Sequence, residues 1–313
     1  CQVLARDMGS RTHSIMRDFA YVPYLNSSLF EVTDLESKTI KINSLSQRTV
    51  LPVLASSVLR NKKRNLQVNA LPTLQYLFAF LDAYNFASEG SEEVQEEAKT
   101  LINAAVLGLI FEKINGHKDG SVFTPGFITM FMCREAITKT VLQKFNGYYG
   151  WNCTTRIELY NHIDNIVEAN ELINSLRLCD PAVGSGHFLV SALNELILLK
   201  YEFGILVDAT GKRIRKADYQ LAIENDELIV TDTEGNLFAY NPLNAESRRM
   251  QETLFKEKRQ IIENCLFGVD INPNSVKICR LRLWIELLKN AYYTAESNYT
   301  NLETLPNIDI NIK

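Results

Sequence analysis

The stretch LRLCDPAVGSGHFLVSALNELILLKYEF, residues 176–203, constrains the fold of this chain more than any other. A short apolar run is followed by a turn carrying Gly184 and Gly186, and then by a long, almost wholly apolar segment. The first run is strand-sized and the last is helix-sized. A strand, a glycine turn and a buried helix in that order begin a doubly wound α/β sheet. The pattern recurs: CLFGVD (265–270) reads as a second core strand, PNSVKICRLRLWIELLKNAYY as the helix after it, and NIDINIK at the end as the start of a third strand.

Other segments hang on this frame. From about 204 to 242 the apolar residues alternate in YQLAI, LIVTD and NLFAY, separated by turns such as Glu234-Gly235-Asn236, which predicts a β-meander inserted over about 205–243. SRRMQETLFKEKRQIIEN is the helix that leads from the insertion into the second strand. Upstream, Thr124 and Pro125 open the helix FITMFMCREAITKTVLQKF, and a further helix is expected from about 157 to 175. Helical spacing also marks LPTLQYLFAFLDAYNFA and VQEEAKTLINAAVLGLIFEKING, with Leu101, Ala105, Leu109 and Ile110 on one face and Gly116 at the cap. GHKDGSV (116–122) reads as a linker. Residues 1 to about 60 have no clear period, although a short hairpin around 38–42 is compatible with them. The expected architecture is a mainly helical N-terminal domain (1–118) followed by an α/β core (119–313).

Composition bounds what such a chain does. With 313 residues and 46% hydrophobic content it can fill real cores. It has no uncharged apolar run of about 18 residues, so no membrane span is expected. The six cysteines lie apart, mostly inside apolar patterns, which suits reduced thiols in a cytoplasm and not a zinc site. A net charge of -4 argues against a firm grip on DNA by this piece alone, because duplex affinity comes from clustered Lys and Arg. The start, CQVLARDMGSRTHS, lacks both an initiator Met and an apolar signal core, and reads as the middle of a longer chain.

The chemistry sits at the strand ends. In Asp180-Pro181-Ala182-Val183-Gly184-Ser185-Gly186 the glycines let a ligand approach the backbone, and the following helix offers unpaired N–H groups to an anion. A dinucleotide site would set the loop against a pyrophosphate and place an acid about 20 residues later. Here the acid, Asp180, is at the loop itself, where it would repel a pyrophosphate and attract a cation. A ligand with a sulfonium, an ammonium and one carboxylate fits that charge pattern better. Asp270, at the tip of the second strand, can accept both hydroxyls of a ribose, and Ile271 after it can lie on an adenine face. Asp270 could instead merely cap the next helix, but Asn272 followed by Pro273 fills that place better.

FTPGFITMFM, LCDPAVGSGHFL and FGVDINPNSVKICRLRLWIELL, in this order, resemble three cofactor motifs of amino-group DNA methyltransferases, of the kind found in type I modification subunits and type IIG restriction-modification enzymes. LGLIFEKINGHKDGSVFTP resembles the lead-in of the type IIG group. The resemblance implies a Rossmann-like fold binding S-adenosylmethionine, with Phe123, Thr124 and Pro125 against its methionine part. Asp180, Pro181, Ala182, Gly184, Ser185, Gly186 and Phe188 would form the main loop, and Asp270 with Ile271 would hold ribose and adenine. It implies methyl transfer to adenine N6 in duplex DNA, with a fused nuclease and target-recognition domain, or separate restriction subunits, as partners. Such enzymes also carry an Asn/Asp/Ser-Pro-Pro-Tyr/Phe tetrapeptide beyond a third strand, to hold the extruded base. None of the eight prolines here adjoins another. Asn241-Pro242-Leu243-Asn244 and Asn272-Pro273-Asn274-Ser275 lack the second proline and the aromatic, so no residue of this chain is assigned a catalytic role and the catalytic segment is expected after Lys313. Two other readings stand beside this one: a methyltransferase for another amino group (cytosine N4, RNA or protein), and a cofactor-sensing or assembly module without catalysis. The basic turn Lys212, Arg213, Arg215 and Lys216 reads as a solvated hairpin tip, and His187 as a position beside the cofactor and not a base.

Overall fold

The computed structural model describes residues 124–313 apart from 225, 297, 300, 301 and 304–309. In the N-terminal third it describes 49–54, 57, 59, 69–85, 100 and 101, with isolated residues 12, 13, 16, 17 and 38. The chain divides into two compact units, one of 31–107 and one of 1–30 with 108–313.

In the smaller unit, β1 (Val50–Pro52) pairs antiparallel with β2 (Ala70–Pro72), which runs into helix α1 (Thr73–Asp82). Val53, Leu59, Leu71 and Ala83 form its small core, with Tyr76 and Ala79 against them. β3 (Tyr84–Asn85) pairs in parallel with β4 (Thr100–Leu101). The sequence placed Leu101 on a helix face, and here the ladder with Tyr84–Asn85 overrides that local preference. The remainder of that helical pattern, 102–116, and the linker 116–122 lie outside the described residues. So does the hairpin around 38–42, apart from Lys38, which is helical.

The larger unit is built on α2 (Gly126–Tyr149) and α5 (His187–Glu202). Along α2 the buried residues are Thr129, Cys133, Ile137, Val141 and Phe145, a strict four-residue repeat. That repeat draws one straight ridge down a helix face, the geometry that packs into a neighbouring helix. α5 is buried on nearly every side, and Leu193, Leu196, Ile197 and Leu199 are fully enclosed. Each of these is worth about 1.5–3 kcal/mol of burial, so this pair anchors the unit.

The expected helix over 157–175 is two, α3 (Arg156–His162) and α4 (Ile166–Asn174). Two N-caps explain the break. Thr155 and Glu158 form a capping box, and Asn165 Oδ1 accepts from Glu168 N at 3.2 Å. Both are legible as Thr/Asn-x-x-Glu in the sequence.

β5 (Leu178–Asp180), β8 (Leu266–Gly268) and β9 (Asn311–Ile312) form a parallel sheet in the order β5-β8-β9, with Asp180 opposite Gly268 and Gly268 opposite Ile312. α6 (Ala245–Asn264) precedes β8 and α7 (Pro273–Leu288) follows it. The fold is therefore mixed α/β around three parallel strands. Gly268 is needed where it stands: a Cβ there would lie 2.9 Å from Ile312 Cδ1 and 2.9 Å from Val183 Cγ2.

The insertion is a hairpin, β6 (Gln220–Glu224) with β7 (Glu227–Thr231), and not a full meander. The third alternating segment adds only a bridge from Leu237 to Thr231, and Phe238 N donates to Val230 O at 2.8 Å. Beyond it the chain turns at Asn241, whose Oδ1 accepts from Leu243 N, and Pro242 has no N–H to offer a ladder.

Candidate cofactor site

The ends of the three parallel strands meet in one place. Val269 N donates to Asp180 O at 2.9 Å and Val183 N to Val269 O at 2.9 Å, so the glycine loop is stitched to the tip of β8. Asp270 N donates in turn to Lys313 O at 2.9 Å. Two side chains lock the loop. Asp180 Oδ1 accepts from Ala182 N at 3.0 Å, and Asp270 Oδ2 accepts from Gly184 N at 2.8 Å. Asp270 Oδ1 accepts from Asn272 N at 2.8 Å, while Asn272 caps α7 by accepting from Asn274 N. Asp270 thus does not cap the helix itself; it ties the second strand to the glycine loop.

The two glycines serve different ends. Gly184 (φ 52°) has open space where a Cβ would project, whereas a Cβ on Gly186 (φ 87°) would lie 2.7 Å from Cys279 Sγ of α7. Both need the left-handed backbone, but only Gly186 is needed for close packing. From below, the buried Arg282 donates from Nη1 to Ser185 O at 3.2 Å. His187, the first residue of α5, is buried, and burial followed by the nearby Arg282 guanidinium pushes its pKa down to about 3. Its ring is neutral at ordinary pH, which suits a packing role and not that of a base.

A mostly apolar cavity of about 310 Å³ opens beside the tip of β5. Its walls include Met132 and Cys133 of α2, Leu178, Asp180 and Pro181 of the strand end, and Phe188 of α5. Cys133 Sγ lies 3.4 Å from Phe188 O, and burial pushes its thiol up to about 12, so it stays neutral. One polar atom on these walls is notable: Asp180 Oδ2 is buried and has no hydrogen-bond partner among the described residues. A buried carboxylate oxygen without a donor is costly, which leaves it available to a cationic ligand.

The residues singled out from sequence fall into three groups. Asp180, Pro181 and Phe188 line the cavity; Ala182, Gly184, Ser185 and Gly186 belong to the glycine loop between them and are not among its walls. Asp270 and Ile271 flank the loop on the β8 side and are not among the cavity walls, and Ile271 is fully exposed at 101%. Thr124 and Pro125 sit, half-buried, at the start of α2, where Pro125 O accepts from Ile128 N and Thr129 N. Phe123 lies outside the described residues. Sequence reasoning missed Met132, Cys133, Gly268 and Arg282. The four-residue repeat of α2 could have flagged Cys133, but nothing local marks Arg282 as a support for the loop. Among the described residues there is no cluster of three or more His, Cys, Asp or Glu able to hold a metal, and no helix is long and apolar enough to cross a membrane.

With this geometry in place, two likenesses to known proteins gain meaning. Residues 1–102 match the family model described as "Domain of unknown function (DUF7814)", which ends before α2 and the glycine loop. Nearly the whole chain, 97%, is similar at 29% identity to a protein of Methanocaldococcus jannaschii named "Putative type II restriction enzyme and methyltransferase". The aligned region is 21% of that relative, so the chain spans about a fifth of the length of the curated protein it matches.

Proposed function

We propose that this chain is the S-adenosylmethionine-binding part of a site-specific DNA adenine-N6 methyltransferase of a restriction-modification system. The observation that carries the reading is the buried, unpartnered Oδ2 of Asp180, at the end of a parallel strand and on the wall of an apolar cavity. Its geometry fits a cation-bearing nucleoside and disfavours a pyrophosphate. The likeness to a protein named a restriction enzyme and methyltransferase supports the same reading.

Bound there, S-adenosylmethionine supplies a methyl group on a sulfonium, itself a good leaving group. The chain's own work is to bind and orient. Asp180 faces the cationic methionine end, and the N-terminus of α5 favours its carboxylate. Each Asp270 oxygen already accepts one backbone N–H and retains a lone pair for a ribose hydroxyl. Ile271 presents an apolar face to the adenine, and Thr124 and Pro125 close the methionine side, where the resemblance also assigns Phe123. The core is doubly wound in this reading, and the duplex is held mostly by regions outside this chain, which fits a net charge of -4.

Titration calorimetry of the 313-residue chain with S-adenosylhomocysteine, NAD and ATP tests the reading. Binding of the first and not of the others is expected, whereas preference for NAD or ATP would overturn it. Mapping modified bases in DNA from cells expressing the full-length protein decides the substrate: N6-methyladenine at one short motif is expected, and N4-methylcytosine would overturn the choice of base alone.

A further inference from the structure

The insertion hairpin reaches into the core by its turn. Asp226, in the two-residue turn between Glu224 and Glu227, takes a left-handed backbone (φ 68°) and is only 5% exposed. Its main chain is held on both sides: Asn194 Nδ2 donates to its carbonyl at 2.9 Å, and its N–H points at Met130 Sδ at 3.1 Å. Its side chain enters a line of oxygens. Asp226 Oδ1 lies 2.5 Å from Ser191 Oγ, Ser191 Oγ lies 3.1 Å from Thr129 Oγ1, and Thr129 Oγ1 lies 2.8 Å from Gly126 O.

With Asp226 ionised, two hydroxyl protons serve three contacts, and the Ser191–Thr129 contact is left without one once Ser191 donates to the carboxylate and Thr129 to Gly126 O. With Asp226 protonated, every contact has its proton: Asp226 donates to Ser191, Ser191 to Thr129, and Thr129 to Gly126 O. Gly126 is the first residue of α2, directly after Thr124 and Pro125.

We propose that Asp226 is a positioning residue of the cofactor site: as a neutral carboxylic acid it completes the chain Asp226–Ser191–Thr129–Gly126 and pins the start of α2 to α5, the helix that the glycine loop opens. The cofactor role of these two helices rests on the function proposed above; the pinning does not.

The surroundings agree. Burial first, then the Glu286 and Glu227 carboxylates, raise the Asp226 pKa from 3.8 to about 6, against the opposing pull of Ser191 and of Arg282. The groups facing it are Cys133 from α2, a neutral thiol, and Arg282 and Glu286 from α7. Glu227 comes from the hairpin itself, and Glu195 of α5 is engaged by Arg156. Raised above its unfolded value, the group stabilises the closed start of α2 fully below about pH 4, and that stabilisation is lost as pH rises through about 6.

Hydrogen exchange at the amides of Ile128 and Thr129, corrected for intrinsic rates, reads this without any ligand. If opening returns Asp226 to its unfolded pKa, linkage between 3.8 and about 6 makes opening about tenfold more frequent at pH 8 than at pH 5. Asp226→Asn, a neutral donor at every pH, should remove that slope and keep the pH 5 protection. Thr129→Val, which breaks the link between Ser191 and α2, should lower protection at both pH values, which keeps the test open if the first variant folds poorly. A wild-type slope retained in Asp226→Asn, or unchanged protection in Thr129→Val, would overturn the proposal. Affinity for S-adenosylhomocysteine measured over the same pH range should fall in parallel with protection; absence of any binding would sink the cofactor reading and leave the exchange result to judge Asp226.

Discussion

Asp180→Asn should make the ligand-free protein more stable and at the same time impair its binding of S-adenosylmethionine. The substitution keeps the bond that shapes the turn, because Oδ1 still accepts from Ala182 N at 3.0 Å. What changes is Oδ2, a buried and formally charged oxygen with no donor, which becomes part of a neutral amide. Leaving a buried polar group unsatisfied costs about 1–3 kcal/mol, more when charged. The new amide N–H inherits some of that cost, so the net gain should be about 1 kcal/mol. For a unit of this size that is an increase of about 2–4 °C in Tm. The ligand loses a charged contact worth about 1.5–3 kcal/mol, roughly a 10- to 150-fold drop in affinity. Thermal unfolding without ligand and calorimetry with S-adenosylmethionine measure the two effects separately. A lower Tm together with unchanged affinity would refute the reasoning, since it would make Asp180 a structural carboxylate whose second oxygen finds partners within the protein.

Asp270→Ala removes the acceptor of two 2.8 Å backbone bonds, so it should cost about 2 kcal/mol of stability in urea titration and, separately, weaken cofactor binding by about 1.5–3 kcal/mol; equal affinities would remove Asp270 from the site. Gly184→Ala and Gly186→Ala both force a left-handed alanine at about 1–2 kcal/mol, but only the second meets Cys279 Sγ, at 2.7 Å. Gly186→Ala should therefore be the more destabilising by at least about 1 kcal/mol, and similar denaturation midpoints would contradict the packing assigned to that glycine.

Much of the frame was legible because it rests on local rules. The short runs at 176–180 and 265–270 read as core strands and NIDINIK as the start of a third, and β5, β8 and β9 lie within them, in the sheet order β5-β8-β9. Asn272 and Pro273 announced the start of α7, and they keep Asp270 from serving as its cap. Where the reading slipped, longer-range forces acted. The stretch from 157 to 175 has one apolar period, yet two caps divide it. Leu101 belongs to a helical pattern and lies in a strand, because Tyr84–Asn85 runs beside it. The third arm of the insertion alternates correctly but stops at one bridge, since Pro242 and the Asn241 turn withdraw it from the ladder. Asp180 and Asp270 were both singled out from sequence, but the difference in their local bonding was not legible, because it depends on a hydrogen bond across 86 positions from Gly184 to Asp270. Arg282 was illegible for the same reason: on α7 it is one of several basic residues, and only the fold carries it beneath Ser185.

The word insertion also understates what residues 205–243 contribute. An ornament added to a finished core would bury its own apolar face and leave the core's polar groups satisfied without it. Here the hairpin delivers two acids into the interior, Asp226 and Glu227, both buried. Glu227 accepts from Lys289 at 3.4 Å, and Lys289 also pairs with the buried Glu286 at 2.7 Å, while Lys258 donates to the Glu286 carbonyl at 3.0 Å and approaches its carboxylate at 3.4 Å. Glu227, Glu286 and Lys258 are buried, whereas the Lys289 side chain keeps 30% exposure, so loss of Glu227 would leave Lys289 partly solvated and still paired with Glu286. Lys289 directly follows α7, and α7 carries Arg282 to the glycine loop and Cys279 against Gly186. Excising the hairpin would therefore strip Glu227 from Lys289 and Asp226 from Ser191 in one step, loosening the support of the loop from α7 and from α5 together. The hairpin is part of the scaffold that sets the glycine loop.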